Sequence, residues 1–159
     1  MYILENNNKL SSAVKRSFSD LKLTERKHLQ EWIAAEPSAL GEDLLIIQKE
    51  FDGFSETKER LDLLALDKQG RLVVIENKLD DSGKDVTWQA IKYASYCSSL
   101  SKQEILDIYS KYIADREKAI ANILDFYDIE DIDEVELNVG DNTQRIFFVA
   151  ANFRKEVTS

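Results

Sequence analysis

RLVVIENKLD, residues 71–80, runs four apolar residues straight into a glutamate and a lysine two positions apart. Leu72, Val73, Val74 and Ile75 show no polar alternation, which is the pattern of a strand covered on both faces. Glu76 and Lys78 share one face of that strand, about 6.6 Å apart along it if it stays regular. Charge at the end of such a strand is costly unless it is paired or put to use.

The residues just upstream bring a second acid to the same place. RLDLLALD (60–67) is another apolar run suited to a strand. DKQG (67–70) has the form of a type I turn with Gly70 in the left-handed region, a three-residue hairpin loop with a bulge at the glycine. That loop sets Asp67 against Arg71, and counting five residues outward on each side sets Asp62 against Glu76, with Cβ atoms about 4.5–5.5 Å apart. Like charges facing each other destabilise a sheet unless something offsets them. Lys78 can do so as a plain ion-pair partner. A divalent cation is the alternative, because Mg²⁺ favours one or two carboxylates, retained waters and phosphate oxygens over a closed protein cage. Asp62, Glu76 and the backbone carbonyl of Asn77 supply such an incomplete shell, and Lys78 then positions an attacking water or contacts phosphate. An isolated E-x-K in a strand is ordinarily an exposed surface pair. Here the apolar run before it, the second acid from the hairpin, and the loop and helix KLDDSGKDVTWQ (78–89) after it, with Gln89 on the helix's second turn, weigh against that reading.

Working outward, KLTERKHLQEWIAAEP (22–37) places Leu29, Trp32 and Ile33 at helical spacing, with Thr24 as cap and Pro37 as stop, so a helix is expected over 25–36. DLLIIQKEF (43–51) reads as a strand joined to the next by the polar loop DGFSETKE (52–59). KDVTWQAIKYASYCSSL (84–100) is helical, with Val86, Ala90, Ala94 and Cys97 on one stripe and Gln89, Tyr93 and Tyr96 on the adjoining one. Ser101 and Glu104 have capping-box spacing, and helical pattern continues with a break to about Tyr127. QRIFFVAANF (144–153), after the turn GDNT, is a late apolar strand. Helix, three strands, helices and strand imply an α/β core with a mixed sheet covered on at least one face. A single domain of 159 residues is expected, with an N-terminal extension over 1–20, a core over 21–100, and helices and a final strand over 101–159. The chain stops just after that strand, at RKEVTS, and the expectation is a domain cut short there.

Composition narrows the function classes. With 43% hydrophobic and 32% charged residues, the chain can build a core and is not a disordered tail. One cysteine and one histidine exclude an internal disulfide and the usual Cys/His zinc cage, and a reducing cytoplasm is the expected compartment. No run of about 18 apolar residues is present to cross a bilayer, and MYILENNNKL lacks the features of a secretory signal. A net charge of −9 argues against a broad nucleic-acid-coating surface, although seven of the acids lie in DFYDIEDIDEVE (125–136), which reads as a solvated face. Cys97 and Tyr93 are expected to pack, as is Tyr96, although both tyrosines share a face with Gln89 and can stack on bases. His28 reads as a surface residue, and Trp32 and Trp88 as core anchors.

RLDLLALDKQGRLVVIENKLDDSGKDVTWQAIKYASY (60–96) resembles the core of the PD-(D/E)XK nuclease superfamily, most closely NucS and EndoMS-type DNA endonucleases and longer bacterial proteins that share that core. The resemblance covers most of residues 21–100 and implies a restriction-endonuclease-like fold, a central mixed β-sheet flanked by helices. It implies a metal-dependent site made of a strand Asp (Asp62), an E-x-K on the next strand (Glu76 and Lys78), a helical Gln (Gln89) and an upstream helical Glu (Glu25, with Glu31 as fallback). Mg²⁺ or Mn²⁺ is the implied cofactor, nucleic acid, DNA first, the implied substrate, and a homodimer a conceivable assembly. Lys84, Lys92, Lys102 and Arg60 are the cations that can line a local groove. The expected function is endonucleolytic phosphodiester hydrolysis; the alternative is a catalytically silent nuclease-fold module that binds nucleic acid or protein.

Overall fold

The computed structural model describes residues 2–6, 8–14, 16–18, 20–52, 60–81, 86–140 and 144–153. The loop DGFSETKE beyond Asp52, Lys84, the turn residues 141–143 and RKEVTS lie outside the described residues. A short antiparallel hairpin, β1 (Tyr2–Leu4) and β2 (Leu10–Ser12), falls in the expected N-terminal extension. Three-residue strands are too short to show a period in a sequence.

The main sheet has the order β3 (Leu44–Phe51), β4 (Leu61–Asp67), β5 (Leu72–Asp81), β6 (Arg145–Asn152). The first two pairings are antiparallel and β5–β6 is parallel, so the sheet is mixed, as expected. A parallel neighbour needs a crossover. Here α2 (Val86–Cys97), α3 (Lys102–Ile113) and α4 (Arg116–Tyr127) lie between the two strands in sequence.

The apolar run of β5 is buried on both sides, with Leu72, Val73, Val74 and Ile75 all at 0% exposure. Leu72 and Val74 join Leu64, Leu66, Tyr93, Ile105 and Ile123 in the larger core under α2–α4. Val73 and Ile75 join Leu63, Ala65, Ile46 and Ile33 in a smaller one under the upstream helix. The missing polar alternation in the sequence is therefore the imprint of two cores meeting across one strand.

That upstream helix is more irregular than its spacing implies. A π-helical turn (Glu25–Leu29) leads into α1 (Gln30–Ala35), and Pro37 opens a 3₁₀ turn (Pro37–Leu40). Thr24 caps the start as expected, accepting the Lys27 N–H. Both halves of the Ser101–Glu104 capping box form, and the break before α4 falls at left-handed Ala114, after which Asp115 caps the new helix.

The two tryptophans correct the sequence reading. Trp32 is 49% exposed and Trp88 74% exposed, so neither is a core anchor. Trp32 instead sits against Phe18 and the edge of His28. Cys97 and Tyr93 are fully buried, and Tyr96 packs on Phe51.

The seven acids of 125–136 are all exposed, the solvated face that was expected. That segment is fastened to the β4–β5 turn near its start and just past its end. The Tyr127 hydroxyl donates to the Asp67 carbonyl at 2.9 Å, and the Asn138 N–H donates to the Gly70 carbonyl at 2.7 Å. Gly70 has φ +75, and a Cβ there would stand 2.1 Å from the Glu136 carbonyl oxygen, so both the turn and the close approach require glycine. The acidic stretch is thereby held at the turn end of the hairpin, and Glu76 lies toward the other. Among the described residues, no helix is long and apolar enough to cross a membrane.

Candidate active site

The turn behaves as its sequence implies. The Gly70 N–H donates to the Asp67 carbonyl (3.0 Å) and the Asp67 N–H to the Arg71 carbonyl (3.1 Å). The register that follows pairs Leu66 with Leu72 and ends at Leu63 with Ile75. One further step in that register sets Asp62 opposite Glu76. At this point the ladder gives way to a side chain, because the Asn77 N–H donates to Asp62 Oδ2 at 2.8 Å. In a strand the N–H and C=O of one residue point to the same side, so the Asn77 carbonyl also lies toward Asp62.

Glu76 is 1% exposed, and its Oε1 is buried without a hydrogen-bond partner. Burial first, and then the charge of Asp62, pushes the Glu76 carboxyl up to about 8, against the pull of Lys78 and the Asp62 backbone N–H. Asp62 is raised as well. Burial leads; the Asn77 N–H and Lys78 oppose it, and Glu50 and Glu25 add to it. Two neighbouring carboxylates are thus both short of compensating charge, with Lys78 the cation beside them.

Around this pair is a cavity of about 470 Å³ lined by Glu25, Arg26, Arg60, Asp62, Glu76, Lys78 and Gln89. All five residues expected at the site line this one pocket. Glu25 enters from the π-helical turn, a helix irregularity frequent at functional sites. Gln89 enters from α2, its Nε2 donating to the hydroxyl of buried Tyr93 one turn on (2.9 Å). The fallback Glu31 points elsewhere and pairs with Lys49 through both carboxylate oxygens (2.9 and 2.8 Å). Of the described cations expected to line a groove, Arg60 lines the pocket, whereas Lys102 Nζ donates to the Ile132 carbonyl and Lys92 is not in its lining.

Several residues that shape the site were not singled out from the sequence. Gln30, 2% exposed, donates from Nε2 to the Asp62 carbonyl (3.2 Å) and so ties α1 to the strand that carries Asp62. Arg26 lines the pocket, and its Nε pairs with Glu50 Oε1 at 2.9 Å. Only the position of Arg26 beside Glu25 hinted at this; the Glu50 partnership spans 24 residues.

The chemistry left aside also finds its place. His28 Nδ1 accepts the Thr24 N–H at 3.0 Å, a local helix-start contact. Burial pushes the Cys97 thiol up to about 12, so it is a packed, inert group. Among the described residues, no group of three or more His, Cys, Asp and Glu side chains is gathered as a ready cage for a metal ion. The donors at hand for a cation are the two carboxylates of Asp62 and Glu76 and the Asn77 carbonyl. A cation with a partly open shell fits that set, since it would satisfy the orphaned Glu76 oxygen and relieve the repulsion from Asp62.

No protein-family model matches the chain, and no curated protein sequence matches it significantly. Among solved structures, a repair endonuclease from Pyrococcus abyssi is similar with a TM-score of 0.38 and 13% sequence identity, over 93% of this chain and 43% of that one. The chain thus spans less than half the length of that protein.

Proposed function

We propose that this pocket is the active site of a divalent-cation-dependent endonuclease that hydrolyses phosphodiester bonds, with DNA as substrate. The observation that carries the reading is the buried carboxylate pair. Glu76 has an oxygen without a donor, Asp62 stands next to it, and Lys78 shares the open pocket. Asp62, Glu76 and the Asn77 carbonyl would hold Mg²⁺ or Mn²⁺. When bound, the ion supplies charge neutralisation for the phosphoryl group and lowers the pKa of water. The chain's own groups do the rest. Lys78 orients the attacking water or holds a phosphate oxygen. Gln89, fixed by Tyr93, and Glu25, carried by the capped π turn, shape the pocket around the scissile group. Phosphoryl transfer needs positioning and charge stabilisation more than a covalent nucleophile, which suits a pocket whose lining, among the described residues, has neither Cys nor His.

Lys78→Ala is expected to lower Mn²⁺-supported cleavage of labelled DNA by about 10²-fold or more, with the melting curve retained. Cleavage equal to the parent's would remove Lys78 from the mechanism. A second reading is a nuclease-fold module that binds nucleic acid or protein without cutting it. It predicts no cleavage by the parent and no stabilisation by a cation that depends on Asp62 and Glu76.

A further inference from the structure

A net charge of −9 argues against a broad basic coating surface, which directs attention to local cation clusters as the grip on a nucleic-acid strand. Among the described residues, three cations line the carboxylate pocket. One is Lys78; the other two, Arg26 and Arg60, sit at its rim, each tethered to an acid at the end of β3. Arg26 has a side chain 70% exposed, and its Nε lies 2.9 Å from Glu50 Oε1 as an ion pair without hydrogen-bond alignment, since that buried oxygen has no hydrogen-bond partner. Guanidinium has five N–H donors, so an arginine held by charge alone keeps its donor fork for another acceptor. Arg60 Nη2 is 3.8 Å from Asp52 Oδ2, with both side chains more than half exposed, a loose pair that a stronger anion can replace.

Glu50 is the unusual partner. After the irregularity between Ile46 and Gln48, β3 pairs Lys49 with Leu63 and Phe51 with Leu61, which brackets Glu50 opposite Asp62. Its φ is +51, a conformation that residues with side chains seldom adopt and that costs about 1 kcal/mol or more. Strain of this kind persists where the surroundings hold it. Here it accompanies an ion pair to a rim arginine, on the residue next to Glu25.

We propose that Arg26 and Arg60 form a phosphate-binding subsite at the pocket rim, taking backbone phosphates of the nucleic-acid strand that enters the pocket, with Glu50 as the positioning residue for Arg26. The proposal rests on the phosphodiesterase reading of the pocket. Arginine suits the role, being permanently charged and presenting a donor fork that matches phosphate geometry. Glu50 keeps the Arg26 guanidinium near the pocket by charge before the strand arrives.

The test measures binding separately from cutting. A fluorescein-labelled DNA oligonucleotide, in single-stranded and duplex forms, is titrated with the full chain in EDTA and again in Ca²⁺, across a salt series, by fluorescence anisotropy. Arg26→Ala and Arg60→Ala should each weaken binding several-fold and reduce the slope of log affinity against log salt by about 0.7–0.9. Arg26→Lys should keep the slope while losing affinity. Glu50→Gln removes a negative charge as well as a tether, so weaker binding by it supports the positioning role and equal or stronger binding removes Glu50 from it. Under cleavage conditions the arginine variants should raise KM more than they lower kcat. Melting curves confirm that each variant is folded, and both arginines are exposed enough that folding should survive. Parental affinity and slope in both arginine variants would overturn the subsite, as would a parent that binds neither oligonucleotide. Arginine-dependent binding by a parent that never cleaves would keep the subsite and remove the catalytic reading. Cleavage that ignores both substitutions would do the reverse.

Discussion

The two ends of the β4–β5 hairpin each bury a carboxylate, and they treat it in opposite ways. At the turn, Asp67 is 0% exposed and receives donors from the Gln69 and Arg71 N–H groups, Arg71 Nε and Arg145 Nη1 at 2.8–3.0 Å. Burial alone would raise its pKa, but the Arg71 N–H, the Arg145 and Arg71 side chains and the Gln69 N–H together hold it below the usual range. At the open end, Glu76 is equally buried, has an oxygen without a donor, and faces Asp62. The same pair of strands therefore carries one acid whose needs are met within the fold and one whose needs are not. A saturated acid is a structural part; an unsaturated one has capacity left for a ligand.

That contrast can be broken by substitution. Asp67→Ala should destabilise the protein by about 3 kcal/mol, because it leaves Arg71 Nε and two backbone donors short of a buried acceptor. Urea unfolding would measure it, and a loss under about 1 kcal/mol would place Asp67 outside the structural network. Gly70→Ala should cost about 2 kcal/mol or more, since the turn would have to move away from Glu136 while keeping a positive φ. At the open end the sign reverses. Above pH about 8, Glu76→Gln should stabilise the cation-free protein by about 1–2 kcal/mol, by replacing an underpaired buried charge with a neutral isostere.

The pH dependence sharpens the same comparison. Glu76 has a folded pKa near 8 against an ordinary 4.5, so the folded state holds a proton that the unfolded state has lost. Its contribution to stability is fully present below about 4.5 and is lost as pH rises through about 8, with a slope of up to about 1.4 kcal/mol per pH unit between. Asp67 has a depressed pKa, so its contribution is present above the ordinary carboxylate range and is lost as pH falls through the folded value. Glu76→Gln should flatten the neutral-range slope and leave the acid-range slope intact. Asp67→Asn should do the opposite.

Much of the candidate site's geometry was legible because it depends on short-range counting. The turn DKQG with its glycine fixes the hairpin register, the register fixes which residue faces Glu76, and strand alternation puts Lys78 on the same face. The burial of Leu72–Ile75 on both faces could be read from the missing alternation alone. What was not legible depends on tertiary placement or local distortion. Arg26 meets Glu50 only after β3 folds beside the π turn, and the left-handed backbone of Glu50 leaves no mark in a strand pattern. Gln30 looks like an ordinary helical residue until its amide is found on the Asp62 carbonyl. The tryptophans misled for a related reason. Hydrophobicity says that a residue gains from burial, whereas rotation about α1 and α2 decided that Trp32 and Trp88 would lie largely outside the core.

The central claim is that the Asp62–Glu76 end of the hairpin is short of positive charge and is built to receive a cation. Titrating Mn²⁺ into the parent protein while recording its melting temperature, above and below pH about 8, tests it most directly. A cation that binds only the folded site stabilises by about 2.7 kcal/mol at a hundredfold excess over its dissociation constant. Because the cation competes with a proton for Glu76, the melting temperature should rise with Mn²⁺, more at the higher pH, and Glu76→Gln should abolish the rise. A parent that shows no rise, or a Glu76→Gln protein that shows the same one, would contradict the account.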